Sequence, residues 1–515
     1  MVFGDGLAHP ARAPVNLRQL ARNVSAQWLT LALQLALSLA LTRFMVRRLG
    51  LEGTGVIALV SGVVGYSGVF YLGLGAAVVR FVAVHHADAD RDALDETVST
   101  IFTFYLGVGA LWLALTVALA APFPVFFRVP AACAWEARAM LVMVGAGFLV
   151  HFPGSVYGGV VMGLQRHDLL ARVHLGLLLA RAALTAAVLA WRPSVALLGA
   201  INAASLVAEP LAASVYARRL LPSLVVSPRR FSGARLRSLL TFSVQSFVFT
   251  VSEKLIGYTD HFVISHALGT GAVAVYDLPL RLTDYARDGV DRVSAALLPA
   301  AADAVARGDA ASLAPLWRLG SKVVVGLVAP AALVLFVWGR HVLAAWVGPA
   351  VADAGAPALR WLSLALVAQV AGRALARPLY EALGELACPA RVVLAEGVLN
   401  LALSVALVRA YGVAGVAFAT FLPAALTGFV VMPWLVCRRL GLSWTAHVAR
   451  TLGRTAPPLV PAWALLWAAE ALGLHQHLAT IALTCAAVLA VYLAGAAVVA
   501  FDPEERAALR RWRSA

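Results

Sequence analysis

The sequence predicts an all-α polytopic membrane protein of about 14 transmembrane helices: two six-helix lobes related by a parallel repeat, plus two extra C-terminal helices. Three observations carry this. The 515 residues are 61% hydrophobic and only 13% charged, with a mean hydropathy of +0.84, more apolar surface than a soluble chain can hide. Apolar runs long enough to cross a hydrocarbon core of about 30 Å recur along the whole length. The two halves also match each other at one constant offset. No stretch shows the ten-residue alternation of an outer-membrane barrel.

The elements follow in order. Residues 1–22 form a polar tail with no apolar h-region, so no cleavable signal peptide is expected, and the tail reads as cytoplasmic. The first lobe, 23–217, holds spans near 23–46, 54–80, 97–121, 138–162, 169–191 and 194–217. A basic cytoplasmic linker occupies 218–235. The second lobe, 236–437, holds spans near 236–262, 272–298, 316–338, 358–382, 389–410 and 412–437. Two more spans lie near 451–471 and 477–500, and 501–515 reads as a basic amphipathic cytoplasmic tail.

Charge sets the orientation. Of 41 basic residues, 25 fall at the span ends shared with both termini, 9 at the opposite ends and 7 within spans. Both termini are therefore expected in the cytoplasm of a multi-pass protein of the bacterial inner membrane. This distribution also accounts for the net charge of +15 without nucleic acid as a partner. Cys133, Cys388, Cys437 and Cys485 are widely spaced and suggest neither a disulfide framework nor a metal site. No cofactor is expected.

The repeat has an offset of 219 residues: LGLEGTGVIAL (49–59) lies over LGTGAVAVYDL (268–278), Pro130 over Pro349, and ARV (171–173) over ARV (390–392). Six spans per copy make the repeat parallel, the arrangement of transporters that bind between two rocking halves.

One span breaks the hydropathy rule. YDLPLRLTDYARDGVDRV (276–293) carries seven charges in eighteen positions. Asp277, Arg281, Asp284, Asp288 and Asp291 share one helical face, flanked by Arg287 and Arg292. Each charge at mid-span costs roughly 2.5–3.5 kcal/mol on insertion scales. The stripe should therefore face protein or a wet cavity. Other spans bring polar faces: Ser246, Thr250, Glu253, Lys254 and Asp260; Asn23, Gln27, Thr30, Gln34, Ser38 and Thr42; Gln369, Arg373 and Arg377; Glu396, Asn400 and Ser404; Arg181; Glu209. The candidate substrate-binding set is Arg281, Arg287, Lys254, Arg373, Arg377 and Arg181, since spare cations suit a phosphate. Asp284, Asp288, Glu253 and Glu396 are candidates for coupling or for switching, with Asp284 holding Arg281 or Arg287 until substrate arrives. The competing account is that pairs such as Asp277–Arg281, Asp288–Arg292 and Arg377–Glu381 merely neutralise each other.

The segments LGLEGTGVIAL (49–59), YLGLGAAVVRF (71–81), GGVVMGLQRHDL (158–169), LGTGAVAVYDL (268–278), LLPA (297–300) and YGVAGVAFAT (411–420) resemble the multidrug/oligosaccharidyl-lipid/polysaccharide (MOP) flippase superfamily. Within it they resemble the Wzx-like oligosaccharide flippases, over about residues 20–437. The resemblance implies a central cavity between the lobes. It implies transfer of an undecaprenyl-diphosphate-linked oligosaccharide across the inner membrane, with membrane lipids and polysaccharide polymerase or export components as partners. Lipid II flippases use an arginine in the first helix, where this span offers only neutral polar groups until Arg43 at its outer end, and the acid of cation-coupled drug exporters is not present in it. Rival readings are a drug or cation antiporter, and a membrane-embedded oligosaccharide polymerase or ligase. The latter usually needs a large external loop, and the sequence offers about seventeen residues at most. No P-loop is present.

Overall fold

The computed structural model describes residues 17–87, 90–308, 312–502 and 505; for 17–31, 76, 85–87, 241–246, 296–300 and 478 it describes the backbone alone. The expected tails at 1–16 and 506–515, the side chains of Asn23, Gln27, Thr30 and Ser246, and the LLPA side chains at 297–300 lie outside that description.

Among the described residues every regular element is helical. The first lobe comprises α1 (Leu17–Gly65), α2 (Leu74–Ala87), α3 (Arg91–Ala120), the short α4 (Phe123–Phe126), α5 (Ala131–Gly163), α6 (His167–Trp191) and α7 (Val195–Leu220). The second comprises α8 (Gly233–Leu268), α9 (Thr270–Ala306), α10 (Leu313–Val347), α11 (Pro349–Arg373), α12 (Ala376–Leu383), α13 (Ala387–Ala425) and α14 (Met432–Arg439). A turn of π-helix, Leu426–Val431, joins the last two. Then follow α15 (Trp444–Thr455), α16 (Leu459–Ala471) and α17 (Leu478–Val499). Among the described residues, nine stretches are long and apolar enough to cross a membrane. Two of them, Ala32–Tyr71 and Ala387–Arg439, each contain two crossings joined at a glycine kink. α8, α9 and α16 are not among the nine; α9 carries the charged face, and α16 has only 13 residues. The architecture therefore has fourteen crossings, as the sequence predicts.

The repeat is visible in the backbone. Gly50 (φ 70) kinks the first copy where Gly269 (φ 90) separates α8 from α9, and Gln165 (φ 60) matches Gly384 (φ 70). Positive φ at both members of a pair fixes the same corner twice. For the site, the copies differ most in the second crossing. The second crossing is broken by a 3-10 turn, Tyr66–Tyr71, followed by Leu72 (φ 49) and Gly73 (φ 73). Its counterpart α9 runs unbroken.

The linker is strapped to the first lobe. Asp95 accepts hydrogen bonds from the Val225 amide (3.1 Å) and from Arg230 (3.2 Å). The Ser227 amide donates to Ser99 Oγ (3.1 Å), and the Ser232 amide to Thr100 Oγ1 (3.1 Å). The first turns of α8 also pack into the first lobe's core through Leu236, Leu239 and Leu240. Further along α8, Phe249 and Ile256 belong to the second lobe's core. α16 and α17 pack on α10 around Trp338.

Hydrogen bonds between the lobes gather at the end opposite the termini. Thr270 bonds Glu52. Ser265 Oγ donates to the Phe127 carbonyl (2.6 Å), and Arg128 to that of Ala267 (2.9 Å). Tyr66 and Thr259 hydroxyls meet at 2.7 Å, and Trp346 Nε1 donates to the Leu39 carbonyl (2.8 Å). The deepest such bond among the described residues is Ser38–Tyr285, at 2.5 Å.

Candidate functional site

α8 and α9 form a helical hairpin about Gly269, so residues equally far from that glycine lie level. His261 therefore meets Asp277 (3.0 Å). Arg281, one turn further along α9, donates to the other oxygen of Asp277 (2.6 Å). Asp277 is thus held by two nitrogen donors, and the i,i+4 pair foreseen in the sequence is formed. Asp284 has a looser contact, 4.0 Å from Arg287, and its side chain is 48% exposed. Arg287 also bonds Gln369 of α11. The structure therefore gives Arg281 to Asp277 and leaves Asp284 beside Arg287 only.

The remaining candidates come from other helices of the same lobe. Arg377 of α12 lies 2.9 Å from Glu253 of α8 and 3.0 Å from Glu381, over the ring of Phe249. Arg373 of α11 lies 3.5 Å from Glu396 of α13, whose second oxygen accepts from Thr427 (2.6 Å). Asp288 is half-buried and Asp291 exposed, on the same face of α9. Side-chain exposures near 40% for Glu253 and Arg377, on charged groups inside spans, suit a wet cavity and would be costly against lipid. Arg181 stands apart: it lies on α6 in the first lobe, exposed, with no ion-pair partner among the described residues. That lobe's own polar pair is His174–Glu209 (2.9 Å).

The repeat explains why α9 is so charged and its counterpart is not. One repeat length before Asp277, Arg281, Asp284 and Arg287 stand Ala58, Gly62, Gly65 and Gly68. Those small residues receive the side chains of α8. Phe262 covers Gly62, the Tyr258 ring lies where a Gly65 Cβ would be (2.3 Å), and Lys254 lies against Gly68. Closer to the far end, a Cβ on Gly55 would fall 1.8 Å from the Thr270 carbonyl oxygen. One copy of the duplicated helix has become a charged wall and the other a glycine seam.

Sequence reasoning had Asp260 on a stripe but did not single it out. Asp260 is buried and, among the described residues, has no cationic partner in hydrogen-bond range. Its carboxylate accepts from Tyr276 (2.6 Å) and Ser404 (3.0 Å) and lies 2.8 Å from Thr420 Oγ1. Asn400 donates to Thr420 (3.1 Å), while its own Oδ1 is buried without a partner. This oxygen-only donor set suits a proton or a hard cation. No cluster of three His, Cys, Asp or Glu side chains fit for a metal occurs among the described residues. His261 was missed altogether; its mirror position across Gly269 from Asp277 is the signal that finds it.

The family model described as "Polysaccharide biosynthesis protein" matches residues 44–350. No curated protein matches the chain. Among solved structures, an inward-facing multidrug resistance MATE family transporter of the MOP superfamily superposes with a TM-score of 0.66 at 17% identity, covering 79% of this chain and 95% of its own. The lipid II flippase MurJ in an inward closed conformation gives 0.67 at 12% identity, with 91% and 98% covered. A MOP superfamily transporter from Pyrococcus furiosus, described by the reverse polarity of its binding pocket, gives 0.59 at 15%, with 80% and 95% covered. At these identities the likeness is one of fold.

Proposed function

The chain belongs to the polysaccharide biosynthesis protein family, and from that premise we propose that it is a flippase-type membrane transporter of the MOP superfamily that moves an undecaprenyl-diphosphate-linked oligosaccharide across the bacterial inner membrane. The observation that carries the reading is the set of half-exposed charges on α8, α9 and α12, in the middle of spans and on one side of an inter-lobe seam. The cations of that wall, Arg281, Arg287, Arg373, Arg377 and Lys254, would take the diphosphate, and the lipid tail would stay in the bilayer. Arg281, Arg373 and Arg377 are held by carboxylates, and these are the groups a phosphate would replace on binding.

Inter-lobe hydrogen bonds gathered at the end opposite the termini support a state closed there; at the other end the lobes touch where the linker enters α8, through Arg235 and Glu96 (3.6 Å). With the basic end cytoplasmic, that is the state that loads from the inner leaflet, and rocking of the lobes would expose the load to the other side. The test is genetic and chemical together. Deleting the gene should leave a lipid-linked oligosaccharide accumulating on the cytoplasmic side of the membrane, cleared by the wild-type gene. No accumulation, with hypersensitivity to cationic drugs instead, would transfer the protein to the antiporters.

A further inference from the structure

Lys254 differs from the four arginines proposed to take the diphosphate with it. Arg281, Arg287, Arg373 and Arg377 each have a carboxylate within 4.0 Å. Among the described residues no carboxylate pairs with Lys254; its ammonium lies 5.3 Å from the centre of the Tyr258 ring. An uncompensated ammonium within a span marks a functional group by default, and a tyrosine face offsets only part of the missing counter-charge.

Its surroundings come from both lobes. Lys254 and Tyr258 belong to α8, while the opposite wall is the 3-10 break of the second crossing, where a Gly68 Cβ would lie 3.0 Å from Lys254 Cε and 3.6 Å from Nζ. The duplication did not create this arrangement. The counterpart of Lys254 is Leu35, and that of Gly68 is Arg287. Lys254 is also the last contact of the glycine seam. Gly62 and Gly65 are covered, whereas Gly257, beside Lys254 on α8, and Gly75, beyond the break, face open space. Lys254 thus sits about 21 Å along α8 from its end at Leu268, counting about 1.5 Å per residue, where the close contacts of the glycine seam end.

Building on the flippase reading, we propose that Lys254 is the anchor for the cargo's phosphate or diphosphate, and that its site has one wall in each lobe. The anchor is complete while the seam is closed and comes apart when the lobes separate. Phosphate affinity is then tied to the state of the seam, as a two-state carrier requires. The paired arginines of α9 and α12 contribute field and secondary contacts, and exchange carboxylate for phosphate only as the anion arrives.

The test titrates the purified full-length protein in nanodiscs with farnesyl diphosphate, farnesol and inorganic pyrophosphate. The wild type should bind farnesyl diphosphate and not farnesol. Lys254→Gln should weaken that binding at least tenfold, and Lys254→Arg should retain most of it. Gly68→Ala crowds the lysine and should weaken binding, whereas Gly75→Ala should not. Pyrophosphate binding as tightly as the farnesyl ester would keep the anchor but assign it to a soluble anion. Undiminished binding by folded Lys254→Gln and Gly68→Ala proteins overturns the anchor and leaves the flippase reading standing. Failure of the wild type to bind any diphosphate overturns both.

Discussion

Arg281 and Arg373 are each in contact with a single carboxylate, Asp277 and Glu396. If phosphate displaces those carboxylates, replacing either arginine by Gln should abolish polymer export while protein abundance stays near normal. Lys should rescue only in part, since it lacks the two-pronged donor geometry of a guanidinium. Degradation of the Gln variants would instead mark the arginines as structural, because stripping one partner from a buried pair typically costs about 3–5 kcal/mol. Asp260 poses the complementary case. Its hydroxyl cage and the unpartnered Asn400 Oδ1 should give the wild type a melting temperature that responds to pH or to alkali cations, and Asp260→Asn should flatten that response. The charged face of α9 could be read from spacing alone. The cage of Asp260 could not, since Tyr276 comes from α9 and Ser404 and Thr420 from the two crossings of α13 on either side of Gly412, and each looks ordinary in its own span. The i,i+4 partners of Arg281 and Arg377, Asp277 and Glu381, were legible from spacing, but partners across helices were not, since Glu253 and Arg377 meet 124 residues apart.

Single elements were legible to the extent that hydropathy governs them. The second crossing reads as one run near 54–80, yet its helix stops at Gly65 and resumes at Leu74. The break involves no proline and no loss of apolar character, only backbone at Leu72 and Gly73 in the left-handed region, so a hydropathy profile passes over it. The thirteenth span likewise divides into α15 and α16, since Pro457 and Pro458 cannot continue a helix. α15 is amphipathic and tucks His447 against Trp317, with ring centres 5.3 Å apart. Burial pushes the His447 imidazole down to about 4, helped by the nearby charges of Arg318 and Lys322. Between pH 6.5, the ordinary value for histidine, and about 4 the unfolded chain takes up a proton that the folded chain refuses. Stability on this account is full above pH 6.5 and is lost as pH falls through that window. Melting curves from pH 7.5 to 4.5 should therefore fall more steeply for the wild type than for His447→Gln; parallel curves would place the imidazole in water.

At the scale of the molecule, the glycine seam converts a duplicated helix into a moving joint. A Cβ at 55 or 65 would lie 1.8 or 2.3 Å from the other lobe, and the contact of Gly55 with Thr270 is the tighter, backbone against backbone. A methyl group there cannot be accommodated by turning a side chain. Gly55→Ala should therefore destabilise the closed seam relative to the open one, with the interior of each lobe left intact. Ala58 reports the change. It is 1% exposed and packs with Ile264, Val273 and Tyr276 of the second lobe. In a chain whose four native cysteines are replaced by serine, a cysteine at Ala58 should react slowly with a membrane-impermeant thiol reagent applied from the side opposite the termini. Adding Gly55→Ala should speed that reaction about tenfold or more, equivalent to a shift of about 1.4 kcal/mol between the two states. Because transport needs both states, the same variant should move cargo more slowly while remaining folded. Unchanged labelling with unchanged transport would mean that the lobes do not part along this line.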